Sequence, residues 1–182
     1  MSTVWSFGDS DGTLQVLTGV DGVAARMGHR LTITIKTWHA EVSWDGDQPS
    51  AFTLRADVNS LAIDDGEGGV TPLSAPERVL ARSNALKTLG AKRFPEITFD
   101  AESVEPTEAG FRLTGTLQIH GRRRDHCLDV AVTDSGDFWE LSSSSAVRQS
   151  DFGIKPFSMM MGSLRVADTV TVTFTATRPK DS

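Results

Sequence analysis

Cysteine is almost absent from this sequence: Cys127 stands alone, which excludes an internal disulfide and fits a reducing compartment. Long apolar runs are absent too. No stretch reaches the roughly 20 residues that a membrane-spanning helix needs. Behind Met1, the residues Ser6, Asp9, Ser10, Asp11 and Gly12 interrupt anything of signal-peptide length. Positive charge is in short supply: 18 Lys and Arg stand against 24 Asp and Glu, for a net charge of −6. That balance excludes a general nucleic-acid binder, whose affinity rests on neutralising phosphates. The one basic run, Arg122-Arg123-Arg124, reads as a solvated hairpin turn, with contact to a ligand phosphate or lipid headgroup as the alternative.

Signatures of catalysis and metal binding are missing as well. There is no nucleophile elbow, phosphate loop or zinc-ligand spacing. His120 and His126 flank one turn but fall on opposite strand parity, which argues against a shared metal. The acidic, Gly-rich residues 64–69 lack the spaced oxygen ligands and closing glutamate of an EF-hand and read as a mobile connection. The expectation is a soluble, cytoplasmic protein with no catalytic residue, no metal and no resident cofactor.

What is present is a strand-rich pattern in a chain of ordinary globular composition, 38% hydrophobic and 23% charged over 182 residues. A single domain, 1–182, is expected. The stretch 169–175 alternates threonine with Val170, Val172 and Phe174, so one face of that strand is dry. Leu31, Ile33 and Ile35 alternate in the same way, but after Lys36-Thr37 the apolar parity moves to Trp38, Ala40, Val42 and Trp44. Because strand side chains repeat every two residues, such a switch predicts a long, bent strand. Phe52, Leu54, Ala56 and Val58 form the returning partner, with Leu61 and Ile63 as its extension.

Further strands carry Phe99, then Leu113 and Leu117, then Leu128 and Val130, then residues 138–147, with turns at 106–110, 121–124 and 134–137. Two helices are expected. Residues 21–27 read as a short one capped by Asp21. Ser74 and Glu77 have capping-box spacing before a longer one that shows Val79, Leu80, Leu86 and Leu89 on one face and ends at Gly90. The sum is an all-β chain with minor helix, about eight antiparallel strands in an extended barrel or a sandwich. Residues 148–168 are expected to fold back over one end of it as a flap or floor.

Three landmarks in order carry a resemblance: Arg93-Phe94-Pro95-Glu96-Ile97-Thr98-Phe99 after a helix, Leu113-Thr114-Gly115-Thr116-Leu117-Gln118-Ile119-His120-Gly121 as a hairpin arm, and Ser150-Asp151-Phe152-Gly153-Ile154 before a strand opening Val166-Ala167-Asp168-Thr169-Val170. Together they resemble the YceI-like polyisoprenoid-binding family, over about residues 12–177. The resemblance implies a lipocalin-like antiparallel barrel holding a long isoprenoid, as a polyprenyl phosphate or a prenylated quinone. The chain departs from many members in lacking an export signal.

The residues themselves point to a hollow interior. Ser143 and Ser145 share the face of Trp139, Leu141 and Val147, where a filled barrel would place bulk; close packing against a neighbour is the alternative. An isoprenoid needs mainly apolar walls, since each buried CH₂ contributes roughly 0.8 kcal/mol. Candidate walls are Leu31, Ile33, Phe52, Leu54, Phe99, Leu113, Leu117, Val130, Leu141, Val172 and Phe174, each of which also suits plain core. Phe157 and Met160, with Met159 and Met161, form an adaptable patch that reads as a gate or as ordinary packing. His29, Arg93, Arg148 and Gln149 are the candidate partners for a polar headgroup.

The sequence therefore supports a non-catalytic binder, carrier or sequestering protein for an isoprenoid lipid, with transient membrane contact compatible. A hydrolase or isomerase using the same cavity, or a structural or stress-related interaction module, remain as other readings.

Overall fold

The computed structural model describes residues 2–182. Its strands are β1 (Ser2–Gly8), β2 (Gly12–Leu17), β3 (Val20–Asp21), β4 (His29–Ile35), β5 (Trp38–Asp45), β6 (Gln48–Asp57) and β7 (Leu61–Gly68). After the helix α1 (Ala75–Leu89) come β8 (Glu96–Pro106), β9 (Gly110–Ile119), β10 (Arg122–Ser135), β11 (Phe138–Arg148), β12 (Ser158–Met159), β13 (Leu164–Val166) and β14 (Thr169–Pro179). Eleven strands make one curled antiparallel sheet in the order β1-β5-β6-β8-β9-β10-β11-β14-β2-β4-β7, and β12-β13-β3 form a small second sheet.

The strand count exceeds the eight expected, and the large sheet is a half-barrel with two edges, since no ladder joins β1 to β7 among the described residues. Two chain corners cross between the two sides of the sheet. The parity switch after Ile35 is one of them: β4 lies next to one edge, β5 next to the other, and Lys36-Thr37 carries the chain across. A 3₁₀ turn at Val58–Ser60 makes the second crossing, from β6 to β7. Thr37 donates its N–H to the Ser60 hydroxyl at 2.9 Å, which ties the two corners together. Leu61 and Ile63 therefore do not extend β6 but pair with Ile35 and Ile33 of β4.

Several local expectations are corrected. Residues 21–27 are not a helix capped by Asp21; Val20 and Asp21 pair with Val166 and Arg165, and only Ala25–Met27 make a 3₁₀ turn. Residues 64–68 belong to β7 and take up a bulge opposite Thr32 and Ile33. Arg122, Arg123 and Arg124 open β10 in register with Ile119, Gln118 and Leu117, so the turn is only His120-Gly121.

In α1 the capping box forms as read: Ser74 accepts from the Glu77 N–H, and the Glu77 carboxylate accepts from the Ser74 N–H at 2.8 Å. Gly90 takes the left-handed conformation (φ 61°) that ends the helix. The inner face is not the stripe expected. Ala81, Ala85, Leu86 and Leu89 pack on the core, whereas Val79 is 72% exposed. One flank of the helix is polar instead, because Arg82 donates to the Leu61 and Asn59 carbonyls at 2.9 and 2.7 Å.

The buried side chains fall into two clusters. One centres on Trp38, Val58 and Leu61, the other on Phe99, Leu113 and Phe152. Val16, Phe52, Leu54, Leu89, Ile97 and Val172 pack against both.

Candidate functional site

Between those clusters the interior is hollow. A cavity of about 810 Å³ runs through the half-barrel, within the size of natural ligand sites. Strand register locates its ends. At the start of β14, where Thr169 faces Arg148, the cavity is bordered by Thr18, His29 and Gln149; this end is termed the rim. At the other end of β14, Arg178 faces Trp139, and its guanidinium lies 4.5 Å from the Trp5 ring centroid. Trp5 in turn meets Trp44 at 4.5 Å. Arg178 and this tryptophan group form a cluster at the far end, some 30 Å of strand from the rim at ~3.3 Å per residue.

Every candidate wall residue except Met160 lines the cavity: Leu31 and Ile33 on β4, Phe52 and Leu54 on β6, Phe99 on β8, Leu113 and Leu117 on β9, Val130 on β10, Leu141, Ser143 and Ser145 on β11, Val172 and Phe174 on β14, and Phe157 at the rim. The two serines stand opposite Phe174 and Val172, so short side chains face bulky ones and leave room between. Met160 points away. It and Met161 adopt positive φ (52° and 57°), which turns both side chains outward, and Met159 borders the cavity in its place.

The expected flap or floor lies at the rim end and has one firm anchor. After Arg148 the chain makes a 3₁₀ turn, Gln149–Phe152, and buries Phe152 and Ile154 in the second cluster. Ser150 and Asp168 hold the two ends of the segment together. The methionine loop beyond it leaves Met161 fully exposed beside the rim.

Of the four polar candidates, His29 and Gln149 line the rim and Arg93 and Arg148 do not. His29 Nε2 meets the Thr71 carbonyl at 2.7 Å, and Gln149 donates its side-chain amide to the Ala167 carbonyl at 3.0 Å. Arg93 lies against the Phe94 ring at the helix-to-strand corner. Arg148 is exposed, 3.9 Å from Asp168. The arginine that does border the cavity is Arg165, whose place follows from the pairing of β13 with β3 across 144 residues of chain.

His126 is the main residue missing from the expected walls. It lines the cavity on β10, with its Nε2 2.6 Å from Ser145 Oγ and its ring edge-on to Phe99 at 5.9 Å. Burial lowers the pKa of its imidazole from the ordinary histidine value, which disfavours the charged ring. The signal was present: the parity that puts Val130 and Leu128 on the wall puts His126 there too. The lining is otherwise mainly apolar, with Ser143, Asn84, Thr88, Glu77 and Asp47 among its polar members, and among the described residues no polar or charged residue is fully buried.

This geometry defines a class, a lipocalin-like antiparallel half-barrel around a hollow apolar interior. The particular family follows from the sequence: residues 10–177 match the model of the YceI-like domain, and the chain belongs to that family. Solved structures share the fold. BcnA of Burkholderia cenocepacia superimposes with a TM-score of 0.69 at 17% identity, covering 92% of this chain and 96% of its own. The YCEI protein of Campylobacter jejuni does so at 0.60 and 17%, covering 82% and 85%. No curated protein matches the chain significantly in sequence. No helix among the described residues is long and apolar enough to cross a membrane.

Proposed function

We propose that this protein binds an isoprenoid lipid, a polyprenyl phosphate or a prenylated quinone, with its chain laid in the cavity, and that it carries or sequesters the lipid without transforming it. The observation that carries this reading is the mainly apolar hollow of about 810 Å³ between the rim and the tryptophan cluster. At ~30 Å³ per water-sized group in a liquid, that volume accepts on the order of 25 carbon-sized groups, about five isoprene units. Burial of the chain alone supplies tight binding, at roughly 0.8 kcal/mol per CH₂.

Membership in the YceI-like family supports the reading. Native mass spectrometry of protein purified from its own host tests it. A co-purified lipid of isoprenoid mass is the expected result; an empty protein that also fails to take up prenyl lipids from solution overturns it.

One observation favours a second reading, a hydrolase of hydrophobic esters: the contact between His126 and Ser145. Among the described residues, no carboxylate bonds the remaining ring nitrogen to complete a triad. Turnover of a long-chain ester, lost in Ser145→Ala, would establish that reading in place of the first.

A further inference from the structure

The walls of the cavity are apolar except at a few places, and one of these lies inside it. His126 and Ser145 sit side by side on β10 and β11, 2.6 Å apart, with Phe99 edge-on to the ring. Ser145 faces Val172, three residues inward from Thr169 at the rim and six residues short of Arg178 in the tryptophan cluster. At ~3.3 Å per residue the pair lies about 10 Å below the rim, with about 20 Å of hollow beyond it.

A polar pair on an apolar wall is unfavourable unless its hydrogen-bonding capacity is used. The single bond between the two uses only part of it. A neutral imidazole has one donor and one acceptor nitrogen, and a hydroxyl has one donor and two acceptor sites. Nδ1 of His126 bonds no other residue among the described ones. Because both residues line the cavity, that spare capacity is available there to one small oxygen-bearing group.

Charge decides which group. Of the lining side chains, Arg165, Glu77 and Asp47 are the ionic ones, and none of them hydrogen-bonds the pair. A phosphate held there would be a buried anion with no Lys or Arg side chain hydrogen-bonded to the pair. An alcohol or a quinone carbonyl needs only what the pair offers.

Resting on the proposed lipid-binding function, we infer that His126 and Ser145 form an internal subsite for the neutral oxygen of an isoprenoid, a hydroxyl or quinone carbonyl, so that the ligand enters oxygenated end first or carries its oxygen along the chain. The rim then does not serve as the ligand's headgroup site. Ligands whose only polar group is a phosphate are disfavoured at this depth.

The test uses the full-length protein and three probes with one branched skeleton: phytane, which has no oxygen, phytol, with a hydroxyl, and phylloquinone, with quinone carbonyls. Affinities are compared between the natural protein and the variants His126→Phe and Ser145→Ala. One lost hydrogen bond corresponds to a weakening of about tenfold. The expected result is that loss for phytol, phylloquinone or both, with phytane unchanged; which probe responds tells hydroxyl from carbonyl. The ring nitrogens of His126 also shift in NMR spectra on adding the responding probe and not on adding phytane. If His126→Phe fails to fold, Ser145→Ala and the NMR shifts carry the test. Unchanged affinities for both oxygenated probes, with silent ring nitrogens, overturn the subsite and leave lipid binding standing. Failure of the natural protein to bind any of the three overturns lipid binding itself.

Discussion

Ser150 gives both of its donors to Asp168: its N–H reaches Oδ1 at 2.8 Å and its hydroxyl reaches Oδ2 at 2.5 Å. The two residues are 18 positions apart and bracket the segment that packs at the rim of the cavity and then carries the methionine loop. These bonds stabilise the ionised carboxylate and hold Asp168 below the usual carboxylate range. Asp168→Asn is expected to lower stability by about 1 kcal/mol, since the site is partly exposed and solvent screens it. The sign with pH follows from the depressed folded-state value. The contribution is complete above the unfolded-state pKa and disappears as pH falls through the folded one. Thermal melts of the natural protein and the variant should differ near pH 7 and converge in acid.

Ser143 and Ser145 stand where a large side chain would fill the hollow rather than meet backbone. Ser143→Trp or Ser145→Trp is expected to abolish lipid retention while the protein stays folded. Circular dichroism reports the fold and mass spectrometry the retained lipid. Unchanged retention by both variants would move the binding site elsewhere.

Gly115 has no such freedom. A Cβ there would come within 2.0 Å of the Asp100 carbonyl oxygen and 2.5 Å of the Ala101 Cα, both backbone atoms of β8. Gly115→Ala should force β8 and β9 apart and destabilise the protein by more than about 2 kcal/mol. A denaturant midpoint within error of the natural protein would show that the strands yield without cost.

Met161 is a residue with a Cβ held in the left-handed region (φ 57°) and a fully exposed side chain. Removing the Cβ relieves backbone strain of roughly 1–2 kcal/mol, offset by the greater chain entropy of glycine when unfolded. Met161→Gly should therefore be neutral or stabilising by about 0.5 kcal/mol, and a melting temperature lowered by several degrees would refute this.

Side-chain parity along a strand is a local property, and it was enough to select the cavity walls. Leu31 and Ile33, Leu113 and Leu117, and Val172 and Phe174 each reveal an inward face within a few residues, whatever their partners. The capping box of Ser74 and Glu77 and the left-handed Gly90 are equally local and were legible for the same reason. His126 belonged to this legible set by its parity with Val130.

Other features depended on which distant segments meet. Nothing near Lys36-Thr37 says that β4 and β5 lie next to opposite edges of one sheet; only the pairing of eleven strands decides that. Arg93 and Arg148 are chemically suited to a headgroup but were placed outside the cavity by the Phe94 ring and by the run of β11. Arg165 was brought to it by pairing with Asp21. The sequence by itself determined which faces are dry. The tertiary structure alone decided that those faces stand apart around a hollow, because the width of the half-barrel is set by non-local register, which no short window of sequence contains.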